Sequence, residues 1–213
     1  MKKPFLERLK KKEPENEMNP ENYNRRLEQV EEGDAAAQKE GCAWFQKMAE
    51  RGYANAKFVL AMCLRDGIGT EADTAQAVQW LKASAEQGYH EAQFLMGVYC
   101  IQGNLKEIET DEEAGKQWLE LAVEQHDHEA EYFYGMYLLN LSEEETAEET
   151  RGFLLIQAAA ISGILRAEFE TGRCLYFGVG TAENREEGYT WIIRAAEEGL
   201  AEAQDFAGMC CIY

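Results

Sequence analysis

Apolar residues recur along this chain with two superimposed periods. Within short segments they fall at helical spacing, and the segments themselves repeat every 36 to 38 residues. A bulky residue stands twelve places before an alanine at Trp44 and Ala56, Trp80 and Ala92, Trp118 and Ala130, Leu155 and Ala167, and Trp191 and Ala203. Three places before each anchor comes a small residue (Gly41, Ala77, Gly115, Gly152, Gly188), and five places after it another small or modest one (Ala49, Ala85, Val123, Ala160, Ala196). Small residues on either side of a large one let a helix admit a close neighbour. Eight places after the anchor, Gly52, Gly88, Gly163 or Gly199 stops this helix B; the third repeat has His126 there.

Helix A begins near the alanine. Ala56, Leu60 and Leu64 share a stripe, as do Ala92, Met96 and Cys100, and the residue after the middle one is small each time: Ala61, Gly97, Gly135, Gly172, Gly208. Gly67 with Gly69, and Gly178 with Gly180, make turns, after which Asp73 and Asn184, like Asp34 and Asp111 elsewhere, are placed to N-cap the next helix B. In the fourth repeat Ser142 and Glu145 read as a capping box in place of the glycine turn. The spacing predicts helix A over about 21–32, 54–65, 90–102, 128–141, 165–177 and 201–213, and helix B over about 35–51, 73–87, 111–125, 146–162 and 184–198. A period of this length marks an all-α solenoid, in which each repeat buries its apolar face by stacking on its neighbours. The expected organisation is a basic, flexible tail over residues 1–19 and one continuous repeat array over residues 20–213.

The joint spacing of Gly, Asp, Trp and Ala, best kept from Ala56 to Gly88 and from Ala167 to Gly199, resembles the Sel-one-like repeat family, relatives of the tetratricopeptide repeat. The resemblance covers roughly residues 36–213. Departures are Leu155 in place of Trp and the lost glycine turn of the fourth repeat. What the resemblance implies is a right-handed α-α superhelix of about five helix-turn-helix repeats, acting as a non-enzymatic scaffold or adaptor for protein–protein interaction. Some cysteine-rich relatives are linked to β-lactam binding or hydrolysis, but their paired cysteines in each repeat and their secretion signal are not found here. No enzyme activity is expected.

Charge narrows the partners. The chain carries 40 acidic and 21 basic residues, a net −19, while residues 1–12 alone carry six basic groups against Glu7. An acidic body repels phosphate backbones, so no nucleic acid is expected. Phe5, Leu6 and Leu9 among the lysines leave a membrane contact conceivable but not expected, and the tail lacks the apolar run of a signal peptide. Six cysteines without a CxxC fit a reducing cytoplasmic setting.

A second stripe on helix A, two, six and nine places after the alanine, corresponds by resemblance to the concave surface. With acidic neighbours it nominates Met62, Arg65, Glu91, Val98, Ile101, Glu129, Met136, Leu139, Arg173 and Tyr176 for a protein or peptide bearing basic and apolar residues. The recurring Phe58, Phe94, Tyr132 and Phe169 read as packing between A helices. Phe206, Met209 and Ile212 are candidates for self-association through the C-terminal end. The run from His126 to Glu129 has metal-ligand chemistry but sits in an inter-repeat turn, with His90 one repeat away, too far to share an ion. No catalytic residue, cofactor or metal site is expected.

Overall fold

The computed structural model describes residues 19–141 and 147–210. Among the described residues are eleven helices and no strand: α1 (Pro20–Glu32), α2 (Ala35–Glu50), α3 (Ala54–Asp66), α4 (Thr74–Ala85), α5 (His90–Gln102), α6 (Glu112–Glu124), α7 (His128–Leu141), α8 (Ala147–Ile161), α9 (Leu165–Phe177), α10 (Arg185–Glu197) and α11 (Ala201–Cys210). The chain is an all-helical repeat array. It gathers into two compact units, the first running to Trp118 and the second starting at Leu119, within α6. The capping box of Ser142 and Glu145, and Ile212, lie outside the described residues.

Local chemistry sets the helix ends. Asp34 Oδ1 accepts from the amides of Ala36 and Ala37 at 3.1 and 2.9 Å, Asp73 from Gln76 at 2.9 Å, Asp111 from Ala114 at 3.0 Å and Asn184 from Glu187 at 3.2 Å. Each satisfies an N–H that the first helical turn leaves without an intrahelical partner. The B helices close alike. Tyr53 N donates to Met48 O, Tyr89 N to Ser84 O, Asp127 N to Ala122 O, Ile164 N to Ala159 O and Leu200 N to Ala195 O. This six-residue closure needs a left-handed residue just before the donor. Four times it is glycine; the fifth is His126, at φ 57°.

Packing is carried one place after the bulky anchor. Phe45, Leu81, Leu119, Ile156 and Ile192 are all at most 2% exposed, whereas Trp44, Trp80, Trp118, Leu155 and Trp191 are only half-buried. This explains why the fourth repeat survives Leu155: the position that holds the core is its neighbour Ile156. In the first unit the core joins Tyr23 and Leu27 of α1, Phe45 of α2, Phe58 and Leu60 of α3, Leu81 of α4 and Met96 of α5. In the second, Ile156, Ala159 and Ala160 of α8 pack with Ala167 of α9, and Ile192 and Ala195 of α10 with Ala203 of α11. A fully buried Ile or Phe contributes about 2–3 kcal/mol here.

Within the hairpins α7–α8 and α9–α10 the backbones nearly touch. A Cβ built on Gly188 would lie 2.6 Å from Gly172 O, and one on Gly152 would lie 2.9 Å from Gly135 O. The small residues of the two helices therefore face one another at a crossing that a side chain would force apart.

Candidate functional site

In the second unit the A helices α7, α9 and α11 turn Ala130, Ala167 and Ala203 wholly inward. A half-covered to exposed stripe on these helices runs one place before that alanine and three, six and ten places after it. It comprises Glu129, Phe133, Met136 and Asn140 on α7; Arg166, Glu170, Arg173 and Phe177 on α9; and Glu202, Phe206 and Met209 on α11. At 100° per residue this stripe is turned about 60° from the one nominated by the sequence.

The nominated residues therefore divide. Met62 and Glu91, 4% and 3% exposed, are core residues that offer no side-chain surface. Glu91 lies 3.2 Å from His90 Nε2, and its charge, behind burial and ahead of Glu31, pushes the Tyr23 phenol upward. Arg65 is half-buried, donating to Asp66 and to the Tyr99 hydroxyl at 2.9 Å. Val98 and Ile101 are half-covered, Ile101 lying where α5 meets Gly115. Met136 and Leu139 are partly buried against the cluster of Ile156, Ala159, Ala160 and Ala167. Glu129 and Tyr176 are half-buried, Arg173 is exposed, Phe206 half-buried and Met209 58% exposed.

What the sequence reasoning missed is the aromatic surface joining α9 to α11. Tyr176 and Phe206 rings meet edge-on at 5.6 Å, Phe177 and Phe206 at 6.0 Å, and Phe169 and Phe206 at 6.1 Å. Phe177 remains 55% exposed. Arg173 lies over Phe169 at 5.9 Å and Arg185 over Tyr176 at 5.4 Å. Beside them the Tyr132 phenol is held above its ordinary range, by burial first, then by Glu170, with Arg166 opposing and Glu129 and Glu202 adding. Three helices thus bring carboxylates around one edge of the aromatic surface. The available signal was the +3 column, where Phe133, Glu170 and Phe206 stand.

Groups with catalytic chemistry are arranged otherwise. His128 Nδ1 lies 2.8 Å from Glu131 Oε2 and 3.1 Å from Ser162 Oγ. Serine and carboxylate meet the same ring nitrogen, whereas a relay needs one at each. Burial pushes the Cys174 thiol up to about 12, leaving little thiolate at neutral pH. Cys42 and Cys63 share a hydrogen bond that lowers Cys42 and, with burial, raises Cys63. No helix of the described residues is long and apolar enough to cross a membrane.

Comparisons with known proteins agree with this architecture. The Sel1 repeat family matches residues 34–53, 54–89, 90–127 and 165–200. The unmatched stretch before residue 165 holds the hairpin with Leu155, which nevertheless keeps the Gly135–Gly152 crossing. A protective antigen of uropathogenic Escherichia coli strains with an SLR fold is similar at TM-score 0.73 and 27% identity, over 80% of this chain and 36% of that one. A Sel1 repeat protein from Oxalobacter formigenes is similar in fold at TM-score 0.73 and 23% identity, over 89% of this chain and 57% of that one. The chain thus spans between about a third and somewhat over half of these structures. A search of the curated proteins finds no match. With its repeats matched over more than half of its length, the chain belongs to the Sel1 repeat family, whose repeats generally mediate protein–protein interaction.

Proposed function

We propose that the chain is a non-enzymatic adaptor that holds a basic, partly apolar protein segment on the A-helix face of its second unit. The observation that carries this is charge beside an aromatic surface of which Phe177 is exposed. Residues 119–213 contain 19 carboxylates, five arginines and no lysine, a net −14. Four of those arginines are engaged with a ring and a carboxylate: Arg151 with Tyr134 and Glu120, Arg173 with Phe169 and Glu170, Arg185 with Tyr176 and Glu183, and Arg194 with Trp191 and Glu168. The unmatched carboxylates favour Lys or Arg on the partner, and Phe177, Phe206 and Met209 favour its apolar side chains.

The test is capture from cell extract by the intact chain and by its Glu202→Lys, Asp205→Lys variant, both sites being exposed. A basic protein retained by the first and lost by the folded second is expected. Equal retention by both refutes the assignment of this face. A second reading, self-association, follows from Met209, 58% exposed beside Phe206. It requires Met209→Glu to lower the mass seen by light scattering, and an unchanged mass removes it.

A further inference from the structure

We propose that Cys42 on α2 and Cys63 on α3 are a redox modification site, a core thiol pair of the first unit that a peroxide closes to a disulfide, stapling one repeat to the next. The inference goes beyond the adaptor reading and does not depend on it, since that reading concerns the second unit.

The repeat itself places the pair. Cys42 stands two places before the anchor Trp44, and Cys63 seven places after Ala56, in the successive matched repeats 34–53 and 54–89. The same two places in the second unit are Phe153 and Cys174, which pack in one cluster with Leu175. In both units the turn after the A helix presses on the B helix before it: a Cβ on Gly69 would collide with Gln38 O, and one on Gly180 with Glu149 O. Cysteine at both places therefore brings thiol against thiol. The two are 3% and 0% exposed, and Cys63 donates a hydrogen bond to Cys42. Because the partners lie in successive repeats, no CxxC spacing marks them.

The asymmetry of the pair gives each thiol a part. The hydrogen bond from Cys63 holds the Cys42 thiol below its ordinary value against burial, and the same bond, then burial, hold Cys63 above. Cys42 is thus the readier thiolate, the form that attacks peroxide. Its sulfur takes one oxygen as the O–O bond breaks, giving a sulfenic acid and a hydroxide that recovers the proton Cys42 gave up. The Cys63 sulfur then displaces the bound oxygen: the S–S bond forms, the S–O bond breaks, and the Cys63 proton leaves with that oxygen as water. Two thiols and one peroxide give one disulfide and two waters.

The experiment treats the full chain with hydrogen peroxide, alkylates the remaining thiols in denaturant and cuts with trypsin for mass spectrometry. Cleavage leaves Cys42 in residues 40–47 and Cys63 in residues 58–65, one cysteine in each. These two peptides are expected as a linked pair, lighter than their sum by two hydrogens and separated by dithiothreitol. Cys63→Ala should instead leave Cys42 as a sulfenic acid open to dimedone; the result on the wild-type chain stands even where this variant fails to fold. The oxidised chain should melt about 5–10 °C above the reduced one, because the bond closes the loop from α2 to α3. Both thiols still alkylated after the same peroxide has oxidised the methionines would overturn the proposal. So would a bond from Cys42 to a different cysteine, or an oxidised chain that melts lower than the reduced one.

Discussion

Gly172, Gly188 and Gly208 all lie within helices, where intrinsic propensity favours alanine over glycine by about 1 kcal/mol. The structure expects the same substitution to act with opposite signs. A Cβ at Gly188 would sit 2.6 Å from Gly172 O and 2.7 Å from Tyr176 N; at Gly172 it would sit 2.8 Å from Gly188 O and 2.7 Å from Ile192 Cγ1. The atoms struck are largely backbone, which cannot rotate away, so α9 and α10 must separate and lose contacts along the crossing. Overpacking of this kind costs about 1–3 kcal/mol, and with the helices forced apart the upper end applies, exceeding the propensity gain. Gly188→Ala and Gly172→Ala are therefore expected to destabilise by about 2 kcal/mol, a fall in Tm of roughly 4–8 °C for a chain of this length. At Gly208 an added Cβ meets nothing within 4 Å, so Gly208→Ala should stabilise by about 0.5–1 kcal/mol. Thermal melts by circular dichroism read both signs. A Gly188→Ala protein melting higher than wild type would show that the hairpin crossing is not close-packed, and the reasoning would fail.

Three further substitutions test the packing. Ile156→Ala should cost about 3 kcal/mol, while Leu155→Ala, beside it but half-buried, should cost about 1 kcal/mol; comparable losses in urea melts would contradict the claim that the residue after the anchor holds the core. Thr171 is wholly buried on α9 and its hydroxyl has no partner among the described residues, so Thr171→Val should stabilise by about 1 kcal/mol, and a lower Tm would reveal a hydrogen bond to the hydroxyl. His126→Gly should relieve a left-handed non-glycine residue by about 1 kcal/mol, unless its approach to Glu131 at 3.8 Å is worth more, in which case the melt would move down.

The repeat and its turns were legible because their causes are local. A cap such as Asp73 or Asn184 acts within three residues, and a left-handed stop is written as glycine at one position. The small residues at Gly172 and Gly188 could be read as sites of close approach, although which small residue met which could not. The open face was harder. Met62 and Arg173 occupy the same place in their repeats, yet one is 4% exposed and the other is on the surface. Coverage at that place depends on neighbouring helices, which the pattern of a single repeat does not carry. Glu91 illustrates the same limit: as a letter it is an acidic rim residue, but in the fold it is buried beside His90.

Counting charges gives the acidity of the second unit but not where it is presented; that depends on which charges are already matched. Arginine, planar and weakly hydrated, can stack on a ring while bonding a carboxylate, and lysine does this poorly. Arg194 shows the consequence: its guanidinium lies 4.2 Å from the Trp191 ring centroid and bonds the buried Glu168, so a core carboxylate is neutralised with a surface cation. Arg185 and Arg173 likewise brace Tyr176 and Phe169 while paired with Glu183 and Glu170. Cations used this way brace the aromatic surface, while Glu202 and Asp205 stand exposed on α11. On the adaptor reading, a preference for a basic partner would follow less from the size of the negative charge than from the choice of arginine, whose cations rest on rings and carboxylates of their own unit.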